Sequence, residues 1–473
     1  MYRLAKSSRV FDGNKPILYV AEPALIKQIL VKDFNNFRDR RIGTDMYHPL
    51  VDQSVSGARG DDWRRMRSIV SPAFSTAKMR RLYKTVGETL DVFADTFGDV
   101  YGLAGAARPV REVDVKEAFD CLAMDVIARC AFASHIDTLN ESDNEFVTYA
   151  RAVLKPPVWR LLAAVLLPRF ALRLLDIKTF MNEESICYFY HLLRPLIASR
   201  KAEPDVRHDD FVDLLIRAER QPASETVDNE RRPDAHHVNE GEEELMIERR
   251  ALEVNDLSKK FLTEEEVIGH AFGFITAGFD STANALAFMC YELALNPDVQ
   301  QRLYDEVMAA AADTPDGELG HDVLPRLAYL DAVFSETLRL HSPTLKLLRV
   351  AAEDYPLGDT GITIPRGQSV VIPIHAIHHS PEYYPEPNRF LPDRFMPENR
   401  RLLTPYTYLP FGSGPRNCVG MSFALMATKL ALARIVLRYE FSRSPRTPVP
   451  LCYEKHRRIK TIKSIVLNIQ FRA

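Results

Sequence analysis

Phe411-Gly412-Ser413-Gly414-Pro415-Arg416-Asn417-Cys418-Val419-Gly420 is the stretch whose reading decides the fold. It follows a Pro-rich irregular stretch, Ser380 to Pro410, and opens a helical pattern from Met421 to Arg438. A thiolate at Cys418 would sit at a helix N-terminus, where the macrodipole and unpaired N–H groups favour negative charge. Gly412, Gly414 and Gly420 remove side chains, so backbone can approach a flat, bulky ligand. Arg416 places a cation two residues from the sulfur. The default reading of one Cys in a glycine-rich turn is a buried free thiol. Here the positions around the cysteine are filled in a way that a free thiol does not need.

Outward from this stretch most of the chain reads as helix. Thr263-Glu264-Glu265-Glu266 is a capping box, with Thr263 at the N-cap and Glu266 three residues on. The pattern that it opens runs to Leu295 and stops at Asn296-Pro297, a helix of roughly 48 Å at 1.5 Å per residue. It is apolar on nearly all sides and should be central and buried. Leu82 to Val100, Val113 to Phe132 and Tyr329 to Leu340 also carry helical spacing. Strands are few: Pro16 to Val20, a strand-turn-strand run from Ile362 to Ile372, and a β-like tail. Gln221 to Lys260 is polar and mostly acidic and reads as a mobile surface loop. A long irregular stretch such as Ser380 to Pro410 inside a folded domain is usually functional.

The chain has 473 residues, 46% hydrophobic and 26% charged, with 20 Gly and 30 Pro. That composition excludes a disordered or low-complexity protein. Length alone suggests about three domains, but no boundary supports a split. A net charge of −3 gives no global basic field for nucleic acid. Cys121, Cys130, Cys187, Cys290, Cys418 and Cys452 form no CxxC pair, which argues against a disulfide framework or structural zinc. The N-terminal residues contain no signal peptide and no span of roughly 20 apolar residues. Trp159 to Leu175 is the most apolar stretch, interrupted by Arg160, Pro168, Arg169 and Arg173. It reads either as a buried helix pair or as a surface dipping into a membrane interface.

A thiolate held as at Cys418 is a soft axial ligand for haem iron. Phe-x-x-Gly-x-Arg-x-Cys-x-Gly is filled at every position, and here the sequence resembles a cytochrome P450, a haem-thiolate monooxygenase. Three further motifs match in order. Glu336-Thr337-Leu338-Arg339 puts an acid and a base on one helix face. An exposed pair of that kind is worth little, whereas the resemblance implies a buried network completed by Arg394, which holds the cysteine loop in place. Trp63 and Arg67 lie one helical turn apart and are good carboxylate donors. The resemblance implies that they, with Arg349 and Arg416, face the haem propionates. Ala277-Gly278-Phe279-Asp280-Ser281-Thr282 matches the oxygen-binding segment of the long helix. Gly278 is read as leaving room for dioxygen and substrate, against the alternative of close helix packing. Asp280 is a carboxylate in an apolar helix, costly unless paired or functional. The family has Thr where this chain has Ser281. Thr282 points about 100° away. Ser281 keeps the hydroxyl but lacks the methyl that restricts rotation.

The resemblance covers nearly the whole chain and is nearest to the animal subfamily 3A of drug- and steroid-oxidising enzymes, with thromboxane synthase also similar. It implies a mainly α fold with small β-sheets, one catalytic domain over residues 1–473, and a long central helix over haem b (iron protoporphyrin IX). Cys418 would be the metal ligand, with Trp63, Arg67, Ala277, Gly278, Arg349, Phe411, Arg416 and Gly420 around the cofactor. Asp280 and Ser281 would deliver protons in catalysis. NADPH–cytochrome P450 reductase, with cytochrome b5 as an optional second donor, would supply electrons through Arg64, Arg65, Arg400 and Arg401. Ser342 to Leu348, the segment before Trp63, and the face of Phe274, Ala277 and Ser281 would line an apolar pocket for a lipophilic substrate. Rival readings are a haem-thiolate isomerase of thromboxane-synthase type and a non-catalytic haem-binding protein. Phe11-Asp12-Gly13 resembles a point several dozen residues into microsomal relatives. The expectation is an enzyme of the cytoplasmic face of the endoplasmic-reticulum membrane, with the anchor helix absent from this chain either by truncation or as a natural short form.

Overall fold

A computed structural model describes residues 7–12, 15–40, 48–103, 109–134, 138–140, 144–153, 155, 157–167, 169–175, 177, 179, 181–203, 205–208, 210–220, 239, 241–252, 261–314, 317–454 and 460–472. Its longest element is the central helix Glu264–Leu295. The capping box forms as the sequence predicts: Thr263 Oγ1 accepts from Glu266 N at 3.3 Å, and Glu266 Oε2 accepts from Thr263 N at 2.9 Å. Glu266 also takes a hydrogen bond from Arg65 Nη1 at 3.0 Å, which ties the helix Gly60–Val70 to the start of the central helix. The central helix packs chiefly on Val115–Phe132 and is flanked by Glu183–Ala202, Phe211–Arg220 and Met421–Arg438. Its buried apolar side chains lie within one large hydrophobic cluster.

The sheets are small. One has four strands in the order Ser7–Asp12, Lys15–Val20, Ser369–Ile372, Leu347–Val350. Arg349 pairs with Val370 on its outer strand, and Val350 bridges to Asp39. A second hydrophobic cluster, including Leu18, Val20, Val370 and Ile372, lies against this sheet. Another sheet joins Arg111–Asp114, Val466–Phe471 and Tyr439–Arg443.

Four expectations need correction. The helix expected from Val113 starts at Val115, because Val113 and Asp114 pair with Leu467 and Val466. Asp114 instead caps the helix by accepting from Lys116 N at 3.0 Å. The run from Ile362 to Ile372 is not a hairpin. Thr363–Ile364 pairs with Tyr355–Pro356, while Ser369–Ile372 joins the four-stranded sheet. Trp159 to Leu175 is not a buried pair: it forms Val158–Leu166 and Arg169–Leu174, leaving Leu166 74%, Phe170 74% and Leu174 85% exposed. The acidic stretch from Gln221 to Lys260 contains a helix, Glu242–Leu252. Residues 221–238, 240 and 253–260 lie outside the described residues.

The irregular stretch is held by the helix Ala328–Leu340. Arg339 Nε donates to Glu336 Oε2 at 2.7 Å and Nη2 to Oε1 at 2.8 Å, both side chains fully buried. Arg339 also donates to the carbonyls of His378, Pro387 and Arg389. Glu336 Oε1 accepts from Leu391 N at 2.9 Å and Arg394 Nε at 3.3 Å. Burial pushes the Glu336 carboxyl up, and the two guanidiniums and the Leu391 N–H pull it back. Removing one partner leaves an uncompensated buried charge. We expect Glu336→Ala to cost about 3–5 kcal/mol, measured as denaturant stability of the purified protein, whereas Arg389→Ala, on the exposed side, changes it little.

Candidate active site

The cysteine loop is closed by its own backbone. Cys418 N donates to Phe411 O at 2.9 Å, Asn417 N to Gly414 O at 2.9 Å, and Gly412 N to Leu409 O at 3.1 Å. Gly414 has φ +75°, and a Cβ there would lie 2.1 Å from Leu30 O, so only glycine fits. The Cys418 side chain is exposed. Burial pushes its thiol up, while the Gly420 N–H, Arg67 and Arg40 pull it back. Cys121 and Cys130 are pushed up to about 11 and about 12 by burial. One guanidinium acts on each of those thiols, whereas two act on Cys418.

Those guanidiniums belong to a cluster. Arg416 Nη1 donates to Arg38 O at 2.9 Å and Nη2 to Ala58 O at 2.7 Å, and its guanidinium stacks 5.0 Å from the Trp63 ring centre. Arg40 donates to Arg416 O at 2.5 Å. Arg349 donates from Nη1 to Leu348 O at 2.9 Å, leaving Nε and Nη2 buried without a partner. The Nε atoms of Arg67 and Arg416 are likewise without a partner. Burial and the charges of Arg40 and Arg349 push Arg416 down to about 8, with Asp39, 3.7 Å away, as counterweight. Arg349 is driven well down by burial and by Arg40. Buried cations with unused donors beside one another fit a ligand that carries two carboxylates, as haem b does. Arg67 is brought to the loop, but its terminal nitrogens donate to Asn417 O at 2.9 Å and Asn417 Oδ1 at 2.6 Å. Only its Nε is left for a propionate.

On the central helix, Ala277 is exposed in the middle of an otherwise buried element, and Ser281, one turn on, is partly exposed. This is the helix face that opens onto a space. The reading of Gly278 needs correction. A Cβ there would lie 3.0 Å from Ile127 Cδ1, so its missing bulk lets Val115–Phe132 pack close. Ser281 Oγ donates to Ala277 O at 2.6 Å. Asp280 is buried and turned the other way. Its Oδ1 accepts from Asn284 Nδ2 at 3.0 Å and lies 3.4 Å from Lys116 Nζ and 3.5 Å from Thr461 Oγ1. Lys116 also pairs with Asp120, which accepts from Arg151 Nε at 3.1 Å. The Arg151 side chain is 41% exposed, so a chain of ionisable groups runs from Asp280 to the surface.

Sequence reasoning missed Arg40, Asn417, Lys116 and Thr461. Lys116 and Asp120 stand at i, i+4, a legible helix pair. Nothing local links them to Asp280. Two of the proposed docking cations are not available: Arg65 is held by Glu266 and Phe261 O, and Arg400 pairs with Asp331 at 3.0 Å. Arg64 lies 3.7 Å from Asp61, and Arg401 is exposed. Phe274 packs with Phe74 and Phe211 rather than standing alone on the open face. Among the described residues no group of three or more His, Cys, Asp and Glu could hold a metal ion.

The sequence model of the family "Cytochrome P450" matches residues 3–469. Cytochrome P450 3A29 of Sus scrofa is 32% identical over 467 residues, covering 97% of this chain and 84% of that protein. Cytochrome P450 3A16 of Mus musculus is 31% identical over 473 residues, covering 99% and 85%. Lithocholate 6-beta-hydroxylase of Mesocricetus auratus is 30% identical over 466 residues, covering 97% and 83%.

Arg349 gives a test with two opposite readouts. Arg349→Leu removes a buried cation that only a bound anion satisfies. The haem-free protein should therefore melt higher than the unsubstituted one. The haem-loaded protein should lose haem to an apo-globin acceptor about tenfold faster, in line with a charge-assisted hydrogen bond worth about 1.5–3 kcal/mol.

Proposed function

The chain belongs to the cytochrome P450 family, and from that premise we propose that it hydroxylates bulky lipophilic molecules, steroids and drug-like compounds, at an endoplasmic-reticulum membrane. Family membership makes it a haem-thiolate monooxygenase that binds haem b and draws electrons from a redox partner. The named relatives and the hydroxylase title of one of them support the substrate class. The observation that carries the reading is one cluster: the Cys418 thiol beside Arg67 and Arg40, with Arg349 and Arg416 holding unused donors next to it.

When bound, haem supplies the redox and oxygen chemistry. Cys418 is the residue that would hold its iron; burial raises its thiol, and the Gly420 N–H and two guanidiniums partly offset that. Arg349 and Arg416 would hold the propionates, with Trp63 stacked under Arg416 to fix its plane. Asp280 Oδ1 is held by Asn284, Lys116 and Thr461 on the side of the helix away from Ser281, and the ion pairs of Lys116 with Asp120 and of Asp120 with Arg151 link it to the surface. Ser281 is the hydroxyl on the open face. Its proton now goes to Ala277 O, so it must rotate to pass one on, and without a methyl it turns freely. Ala277 keeps that face narrow in bulk and apolar, which suits a lipophilic substrate.

Membrane contact is supported by the exposed ridge of Trp159, Leu162, Leu166, Phe170 and Leu174, with Arg160 beside it. Among the described residues no helix is long and apolar enough to cross a membrane. The ridge would therefore lie in the interface and not span it.

Three measurements test this reading. The reconstituted protein with NADPH–cytochrome P450 reductase should consume NADPH in proportion to a lipophilic substrate and yield hydroxylated product. Conversion without NADPH would overturn it. Cys418→Ser should abolish the thiolate-type Soret band of the reduced carbonyl complex. Ser281→Ala should lower product formed per NADPH on the order of 10²-fold, the low end of what a positioned acid contributes, with hydrogen peroxide taking up the difference. Separately, Leu166→Ser combined with Phe170→Ser should weaken partition to phospholipid vesicles at least about 10²-fold, at roughly 1.5–3 kcal/mol for each apolar side chain withdrawn.

A further inference from the structure

The chain that enters the cysteine loop, Tyr406 to Pro410, is neither helix nor strand. It is fixed from two sides. On one side Ser335 O accepts from Tyr408 Oη at 3.1 Å, and His378 Nε2 accepts from Leu409 N at 2.9 Å. On the other stands Asn239, only 7% exposed. Its Oδ1 accepts from Tyr406 N at 2.6 Å, and its Nδ2 donates to Tyr408 O at 3.1 Å. One side-chain amide thus satisfies a backbone donor and a backbone acceptor two residues apart.

Tyr406 is the residue that needs this hold. Its φ is +65°, in the left-handed region that a bulky residue rarely adopts. Its ring is buried in the second hydrophobic cluster, so glycine would relieve the backbone but leave a cavity. Such a conformation persists only where the surroundings over-determine it. Tyr406 Oη also donates to Asn239 O at 3.3 Å and to Glu244 Oε1 at 3.4 Å, and Glu244 pairs with Lys27 at 2.5 Å.

Few bonds separate this clasp from the cysteine. Leu409 O accepts from Gly412 N at 3.1 Å, and Phe411 O accepts from Cys418 N at 2.9 Å. Asn239 itself comes from the stretch whose composition reads as a loop. It stands three residues before the helix Glu242–Leu252, which packs on Gly60–Val70 and on Gln28–Lys32. Leu30 of the latter lies against Gly414, so the same part of the chain borders the cysteine loop at a second point.

We propose that Asn239 is a positioning residue for Cys418: its amide fixes the turn at Tyr406 and Tyr408 and thereby sets where the loop holds its sulfur. This role rests on the haem-thiolate reading above. Only an amide supplies both halves of the clasp. Aspartate would keep the acceptor for Tyr406 N and set a second oxygen against Tyr408 O, and alanine would leave both backbone groups unpaired.

The test uses the full haem-loaded chain. Hydrogen exchange is followed by mass spectrometry in peptides covering 406–409 and 328–340. In parallel, the rate at which the reduced carbonyl complex loses its thiolate-type Soret band is recorded. In Asn239→Ala we expect exchange in 406–409 and loss of the band each to quicken at least about tenfold, the scale of two lost hydrogen bonds. Exchange in 328–340 should not change. Asn239→Asp, of nearly the same shape, should do likewise, and it carries both readouts if Asn239→Ala does not load haem. Tyr406→Phe removes only the hydroxyl contacts and should stay within about twofold of the unsubstituted protein. Unchanged exchange in 406–409 overturns the proposal. So does faster exchange with an equally persistent band, which would make Asn239 a structural residue only. An effect of Tyr406→Phe as large as that of Asn239→Ala also overturns it, since the ring and not the amide would then order the turn. If the unsubstituted protein shows no thiolate-type band, the haem-thiolate reading itself fails. If it shows the band and the variants lose it no faster, only this inference fails.

Discussion

The fully buried pair of Glu336 and Arg339 is the constraint on which the rest of the site depends. The two charges satisfy each other, and their remaining hydrogen-bonding capacity goes to the backbone of a stretch with no regular structure. Turns of this kind have no ladder to hold them. Here carbonyls from His378, Pro387 and Arg389 and the N–H of Leu391 end on one ion pair. Arg394 joins the same carboxylate at 3.3 Å. The Tyr384 ring lies 5.1 Å from the Arg339 guanidinium, closing the network from another side. Such a pair adds little net stability over an apolar substitute, but half of it is strongly destabilising. Its value is positional, because the chain that leaves this network runs straight into the cysteine loop.

The second theme is charge left uncompensated. Arg40, Arg67, Arg349 and Arg416 converge from four distant places in the chain, and burial lowers Arg67, Arg349 and Arg416. Buried cations placed in this way fit a dianionic cofactor, so cofactor binding and stability are linked. The proton side is built differently. Lys116, Asp120 and Arg151 balance Asp280 with alternating charges, so that carboxylate can stay in an apolar helix without a cofactor near it.

The motifs were legible because each is local. The capping box at Thr263 and Glu266 forms as written, since four residues suffice to specify it. The same holds for Met421–Arg438, whose apolar periodicity matches its observed bounds. Where a local pattern met a distant partner, reading failed. Val113 and Asp114 carry helical spacing but pair with residues more than 350 positions away. The run around Pro365-Arg366-Gly367 has hairpin chemistry, yet its two strands are taken by different sheets. Gly278 was ambiguous between access and packing, and only the position of Ile127 decided it.

The sequence by itself determined the chemistry: a cysteine framed by glycines, an acid–base pair on one helix face, and an acid–hydroxyl pair in a long buried helix. These depend on residue type at short spacing, where covalent geometry fixes the arrangement. Only the tertiary structure decided which charges meet. It put Arg40 beside Arg416, Lys116 beside Asp280, and an acidic stretch down as a helix next to the cysteine loop, with its arginines outward. The physical reason is that Coulombic and packing terms depend on distance in space, and the chain between such partners carries no record of how closely they approach.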